Sequence, residues 1–182
     1  ENGIKFAVSS EFRYYVINGG AVITGYRGSA SDVVVPAELG GCPVRRIDDA
    51  VFLFNYDLRS IELPDTLRSI GSDAFGNAYH LRSIRFPEGF LTIEDNAFWS
   101  CFALESVELP STLRSIGECA FEMCWSLTSI SMPDGVTELK DYTFLDCGRL
   151  AQVTLPATLI SIGESTFADC YNMTHLRLSN TV

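Results

Sequence analysis

Six prolines fall at positions 36, 64, 87, 110, 133 and 156, and the last four intervals between them are each 23 residues. A fixed period of roughly 20–50 residues marks a chain built as a solenoid, in which each unit buries its apolar face only against its neighbours. One unit carries Leu58, Ile61, Leu63, Pro64, Leu67, Ile70, Gly71, Ala74 and Phe75 in order. Further units open at Leu81, Leu104, Leu127 and Leu150, and a truncated one opens at Met173. An earlier unit beginning near Ala30 fits if five extra residues around Gly40, Gly41, Cys42 and Pro43 are set aside as a loop before Ile47, which accounts for the 28 residues between Pro36 and Pro64.

Aligned by this period, the apolar residues fall into files. Ile61, Ile84, Val107, Ile130, Val153 and Leu176 form one, and Leu63, Phe86, Leu109, Met132, Leu155 and Leu178 form the next, two residues along. A spacing of two puts both files on one face of a strand and turns the residues between them outward. The chain is therefore expected to form a right-handed solenoid with one parallel β-sheet of short strands, each stopped by a proline that cannot donate to the ladder. About eighteen residues per unit remain for the return path, too few for a full crossover helix, so short extended pieces, 3-10 turns and single helical turns are expected there. Two return files, Leu67 to Leu159 and Ile70 to Ile162, are apolar throughout, and Phe52, Phe75, Phe98, Phe121, Phe144 and Phe167 form an unbroken spine. Truncating one fully buried Phe to Ala should cost about 3–5 kcal/mol.

Residues 1–29 read differently. Ile4 to Val8, Phe12 to Ile17 and Ala21 to Tyr26 are β-rich runs, and Asn18, Gly19 and Gly20 give a hairpin signal between the last two. They are expected to form an N-terminal β-hairpin cap over residues 30–182, one continuous domain of six units plus a truncated seventh. At the other end Ser179 replaces the proline, and no polar capping unit precedes Val182. An open apolar rung is a solubility problem, so this end is expected either to continue or to be covered by a partner or a second copy. Glu1 is not an initiator methionine, which points to an upstream segment removed from the chain.

The unit pattern, Leu-x-x-Ile-x-Leu-Pro-x-x-Leu-x-x-Ile-Gly-x-x-Ala-Phe-x-x-Cys, resembles the BspA-like leucine-rich repeats, the treponemal class of the wider repeat superfamily. Ile23 to Tyr26, Gly28, Ser29 and Val33 to Pro36 resemble the opening of such an array, and the match covers about residues 21 to 178. Departures are Thr143 and Thr166 in the Ala column, Glu94 and Lys140 in the Gly column, and Asn55 and Ala78 in the Cys column. The resemblance implies a bacterial protein, secreted or displayed on the cell surface, with adhesive roles in some members. It implies no particular ligand, because fold alone does not specify a site.

Charge and composition narrow the partners. Thirteen Lys and Arg against 23 Asp and Glu give a net charge of -10, and Arg45 and Arg46 are the only adjacent basic pair. Such a surface repels phosphate backbones and anionic lipids, so neither nucleic acid nor direct membrane insertion is expected. No apolar run approaches the roughly 18 residues that a membrane helix needs.

Catalysis finds no support in the residues. His80 and His175 lie in different columns about four rungs apart, on the order of 20 Å, so they cannot share a proton or a metal. Neither a nucleophile triad nor a phosphate-cradling glycine loop is present, and no enzyme activity or cofactor is expected. Four of the six cysteines, Cys101, Cys124, Cys147 and Cys170, occupy one repeat column and read as buried thiols packed as small hydrophobes. Close Cys pairs of the zinc-binding kind are absent, while Cys42 and Cys119 lie off the ladder with their redox state left open. Leu109 to Thr112, like Leu63 to Thr66 and Leu155 to Thr158, imitates a sortase signal but is followed by Leu and lies inside the repeat.

Two surfaces remain as candidates. The outward files of the sheet begin at Asp32 and Val34 and continue as Ser60, Ser83, Ser106, Ser129, Gln152, His175 and as Glu62, Arg85, Glu108, Ser131, Thr154, Arg177. Small hydroxyls with alternating charges suit a shallow protein-docking face, although any one-sided sheet shows polar-out alternation. Next to the Cys column stand Tyr56, Tyr79, Phe102, Trp125, Gly148 and Tyr171, five aromatics in six units. Exposed rings suit protein hot spots or stacking on a sugar, whereas rings lying flat on one another would only stabilise the turn. The favoured reading is a recognition or adhesion module that binds a host or bacterial surface protein through the sheet face. The alternatives are a structural spacer in a larger surface protein and carbohydrate binding along the aromatic file.

Overall fold

The computed structural model describes residues 5–179, so Ile4 and Val182, which the sequence reading assigns to the first β-run and the open end, lie outside the described residues. Within them the chain forms strands and turns and no helix. In chain order the strands are β1 (Lys5–Val8), β2 (Phe12–Ile17), β3 (Gly20–Tyr26), β4 (Asp32–Val34), β5 (Glu38–Leu39), β6 (Cys42–Ile47), β7 (Ser60–Glu62), β8 (Ser69–Ile70) and β9 (Ser83–Arg85). They continue as β10 (Thr92–Ile93), β11 (Ser106–Glu108), β12 (Ser115–Ile116), β13 (Ser129–Ser131), β14 (Glu138–Leu139), β15 (Gln152–Leu155), β16 (Ser161–Ile162) and β17 (His175–Leu178).

Seven of these, β4, β7, β9, β11, β13, β15 and β17, are the strands expected from the alternating files. Parallel pairing sets Ser83 against Ser106, Ser129 against Gln152 and Gln152 against His175, the 23-residue register, and Asp32 against Ser60, 28 residues on because of the inserted segment. The single expected sheet is, however, divided into β4-β7, β9-β11 and β13-β15-β17. A second parallel ladder, in the return path, joins β6, β8, β10 and β12, and separately β14 and β16. Its strands carry Ile47, Ile70, Ile93 and Ile116, each almost wholly buried, so the file read from the sequence as return-path packing is also a hydrogen-bonded edge.

The 3-10 and helical turns expected in the return path are replaced by a third ladder of backbone bonds at the corner. Phe52, Phe75, Phe98, Phe121 and Phe144 donate their amides to Ala74, Ala97, Ala120, Thr143 and Thr166 of the next rung, at 2.8–3.0 Å. The corner is made tight by two left-handed residues per rung. One column is Ala50, Asp73, Asn96, Cys119, Tyr142 and Ser165, and the other is Phe54, Asn77, Ser100, Met123, Asp146 and Asp169, all with φ between 49 and 60°. That region disfavours side chains with a Cβ, Asn and Asp least, so the ladder bonds on either side must hold the others there.

Inside, the Phe spine stacks ring over ring, with centroids 5.1–5.6 Å apart and planes within 5° of parallel from Phe52 to Phe167. Offset parallel stacking is favourable for aromatic quadrupoles, and a one-rung spacing imposes it. Tyr26 and Phe12 extend the column into the N-terminal strands, with successive centroids 5.2 Å apart. There β1 and β2 pair antiparallel, as do β2 and β3 across Asn18 and Gly19, and β3 pairs parallel with β6. The residues set aside as a loop form a hairpin of their own: β5 and β6 pair antiparallel across Gly40 and Gly41, whose φ values of 59 and 74° fit a two-residue hairpin turn.

Candidate functional site

The outward files follow from strand alternation, since Ile61, Ile84 and Ile130 are buried and their neighbours on either side are turned to solvent. Ser60, Glu62, Ser83, Arg85, Ser106, Glu108, Ser129, Ser131, Gln152, His175 and Arg177 are exposed, and Thr154 is half-buried. Asp32 accepts hydrogen bonds from the hydroxyls of Ser31 and Ser60, which hold its carboxyl below the usual value. Arg85 Nε lies 3.3 Å from Glu108 Oε2, with both side chains mostly in water, so the pair orients more than it stabilises. His175 is brought beside Thr174, its Nδ1 2.8 Å from the hydroxyl.

Two shallow grooves border this face. One, of about 450 Å³, is bounded by Arg85, Phe86, Pro87, Glu88, Glu108 and Pro110. The other, of similar volume, passes from Val107 and Glu108 to Ser131, Met132 and Pro133. They share Glu108, so the charged pair Arg85–Glu108 stands at the junction of the two. The prolines that end the strands also supply the groove walls, a role beyond the strand-stopping one that their sequence positions predict.

The aromatic file is a stack. Tyr56, Tyr79, Phe102 and Trp125 lie with centroids 4.9, 4.7 and 4.2 Å apart in succession. Each of their amides donates to the carbonyl two residues back at 2.9–3.0 Å, a tight turn that projects the ring from the corner. Tyr79 and Phe102 are half-buried by their neighbours, so the flat-lying arrangement holds along the middle of the file, while Tyr56, Trp125 and Tyr171 remain exposed. Asp146 accepts from Trp125 Nε1 at 3.3 Å, and Asp169 from the Tyr171 hydroxyl at 2.9 Å.

The Cys column is chemically quiet. Cys101, Cys124, Cys147 and Cys170 each donate a thiol hydrogen bond to the carbonyl of Phe75, Phe98, Phe121 or Phe144, at 3.1–3.4 Å. Burial pushes the Cys101 thiol up to about 12 and Cys170 to about 11, far from a reactive thiolate. Cys119 is likewise pushed to about 12, by burial first and then by Glu122, Glu118 and Asp95. Cys42 and Cys119 are both free thiols. His80 pairs through Nδ1 with the Tyr56 carbonyl and shares no partner with His175. Among the described residues no three His, Cys, Asp or Glu side chains come together as a metal would need, and no helix is long and apolar enough to cross a membrane.

One further cluster escaped the sequence reading. Arg46 on β6 pairs with Asp48 and Asp49 at 2.9 and 3.0 Å and with Glu94, two rungs away. Gly71 holds the same column as Glu94 in the intervening rung. The bonds to Glu94 and Asp48 raise the guanidinium's pKa further above its already high value, so Arg46 stays charged under all ordinary conditions. The signal was present in the sequence as Glu94 standing in a glycine column.

Stacked parallel strands at a fixed 23-residue register, with a leucine-lined interior, define a leucine-rich-repeat solenoid. The chain belongs to the BspA type leucine-rich-repeat family, whose model matches residues 45–182 in six copies. Its fold is similar to that of the Treponema pallidum leucine-rich-repeat protein, with 30% identity and a TM-score of 0.77 over 93% of this chain and 91% of that one. A leucine-rich cell surface protein of Faecalibacterium prausnitzii is similar at 25% identity and TM-score 0.82, over 96% of this chain and 54% of the other. The chain thus spans nearly all of the first and about half of the second. The pneumococcal vaccine antigen PcpA shares the fold at 16% identity and TM-score 0.70, over 96% of this chain and 50% of that one. No curated protein matches the chain. Repeat proteins of this family and fold are typically non-enzymatic.

Proposed function

We propose that this chain is a recognition module of a bacterial secreted or surface protein, docking a protein ligand on the outward face of its strand ladder. The observation that carries the reading is the run of outward-facing polar side chains from Ser60 to Arg177, set by parallel pairing within β4-β7, β9-β11 and β13-β15-β17 and bordered near its middle by two grooves that meet at Glu108. A rigid scaffold limits the entropy lost on binding, and a groove beside a charged pair gives a side-chain anchor and an orientation. Membership of a repeat family with a cell-surface relative supports display outside the cell. With acidic residues in excess, complementary partners are basic or neutral proteins.

The test is capture from host and bacterial surface-protein fractions by the full chain, followed by affinity measurement for the captured partner. Replacing Ser83, Arg85, Ser106 and Glu108 together, all exposed, should leave the fold intact and weaken binding at least tenfold. Undiminished affinity in that variant would remove the site from the sheet face.

A further inference from the structure

The groove of about 450 Å³ beside β9 and β11 carries an imbalance of charge. Asp65, Glu88 and Glu108 line it against the single guanidinium of Arg85, and all four side chains are exposed. Its floor is fixed, because β9 and β11 pair in register and the Phe86 amide donates to the Glu108 carbonyl at 3.1 Å. Asp65 and Glu88 hold one column in successive rungs, roughly 5 Å apart along the ladder. Ser111, next in that column, donates its amide and its hydroxyl to the two Glu88 oxygens at 3.3 and 3.0 Å, which fixes the orientation of that carboxylate. Among the described residues no hydrogen bond or ion pair engages the Asp65 carboxylate. Glu108 meets Arg85 through one oxygen at 3.3 Å, with both side chains mostly in water, a contact of little strength.

We infer that this groove receives a basic side chain, arginine or lysine, from an extended segment of the docked protein. Such an anchor rests on the reading of the strand face as a docking surface, and it defines what one point of that surface holds. Charge selects the guest. Three carboxylates against one guanidinium leave two negative charges in the groove, within a chain of net charge -10, so a cation is attracted and an acidic group repelled. Spacing selects the form of the cation. Among the described residues no three carboxylates come together as a metal ion needs, so the charge is spread along the groove and suits a cation carried on a flexible stem. Pro87, Leu109 and Pro110 supply apolar wall between the carboxylates, and the methylene stem of arginine or lysine packs on such surface while its charged end stays in water. An ionised carboxylate has several lone pairs, so Glu88 and Glu108 can accept from the guest beside the contacts they already make. The neighbouring groove shares Glu108 but is otherwise bounded by uncharged side chains, so the cation is directed to one groove of the two.

The probes are four blocked tripeptides with Arg, Lys, Gln or Glu between two glycines, titrated into the full chain and followed by backbone amide shifts in NMR. The Arg and Lys peptides should bind with a Kd on the order of millimolar, as expected of a single side chain, with the shifts centred on Arg85, Glu88 and Glu108. The Gln and Glu peptides should give no saturable shift. Asp65→Asn together with Glu108→Gln should weaken the Arg peptide about fivefold, the scale of two exposed ion pairs. Asp57→Asn together with Glu164→Gln removes the same charge from exposed positions outside the groove and should leave its affinity unaltered. Arg85→Gln, which removes the cation competing for Glu108, should tighten it about twofold. Equal binding of the Gln peptide, undiminished binding by the Asp65 and Glu108 variant, or an equal loss in the Asp57 and Glu164 variant would each overturn the assignment. The peptides report on the groove alone. Saturable binding of the Arg peptide would uphold the groove even if replacing Ser83, Arg85, Ser106 and Glu108 left a captured protein's affinity undiminished, a result that refutes only the docking face. Blank peptides beside a weakened protein would overturn the groove and keep the face.

Discussion

Gly71, Gly117 and Gly163 occur at every second rung, and Asp48, Glu94 and Lys140 hold the same column between them. The alternation has a steric cause. In the rungs without glycine the following residue is Asp49, Asp95 or Asp141, whose carboxylate accepts the amide of Ser72, Glu118 or Glu164 in the next rung at 2.7–3.0 Å. That bond lays the aspartate over the glycine. A Cβ on Gly117 would come within 2.4 Å of the Asp95 amide nitrogen and 2.5 Å of its carboxylate. Gly117→Ala should therefore cost about 1–3 kcal/mol in denaturant unfolding, as overpacking against backbone does, while Lys140→Ala in the same column should be close to neutral. Beside this column Asp73 lies near Asp49 and Asp95, and burial, then these two charges, raise its pKa. A raised carboxyl pKa means that the folded state holds the proton more tightly, so its contribution is full below the ordinary value of 3.8 and is lost as pH rises through the folded pKa. Asp73→Asn, which also suits a φ of 55°, should raise Tm at neutral pH, and the gain should vanish when thermal unfolding is followed below about pH 3.8.

Strands of two or three residues hold because up to three ladders tie one rung to the next; between β7 and β9 one of them is missing. One interface lacks two of them. β11 and β13 lie in different sheets, and so do β12 and β14, so between the unit opening at Leu104 and that opening at Leu127 the hydrogen bonds that remain are those of the corner. There Cys119, Phe121 and Met123 donate to Asp141, Thr143 and Leu145 at 2.8–3.1 Å. Local opening follows the weakest set of contacts, so amide exchange at Lys140 should be faster than at Gly163, whose amide is bonded to Leu139 at 2.8 Å. Equal protection at the two would show the seam to be closed in solution. This division was not legible in the sequence, because Ser106, Glu108, Ser129 and Ser131 have the same alternating pattern as their paired neighbours. What was legible is whatever repeats by side-chain type, namely the strand files, the Phe spine and the polar outward face. The two-rung alternation was visible only as exceptions to the single-rung pattern. The stacking of Tyr56, Tyr79, Phe102 and Trp125 was not legible either, since aromatics in one column can lie flat on one another or stand apart.

A solenoid's stability is a sum of rung energies and nearest-neighbour interfaces, so what happens at an end is decided by the surface of the last rung. Here that surface is apolar. Leu178 is 69% exposed, Leu176 53% and Ile162 46%, although their equivalents Leu155, Ile84 and Ile93 are buried, and Ile160, in the same outward-facing column as Leu91, is 85% exposed. Together with Leu155 and Leu159 these residues bound a concavity of about 630 Å³. Beside it β17 pairs with β15 on one side, and among the described residues no strand pairs with its other edge. Contiguous apolar surface joined to an unpaired edge drives association, and the chain of 182 residues should show it. Sedimentation velocity is expected to give a weight-average mass that rises with protein concentration above the 20.1 kDa of one chain. Ile160→Lys and Leu178→Lys together should return it to a single concentration-independent species, since two charges would have to be desolvated at each contact. The same pair should leave unfolding of the inner rungs unchanged, because both side chains already lie mostly in water. A wild-type chain that sediments as a monomer at all concentrations would overturn this expectation.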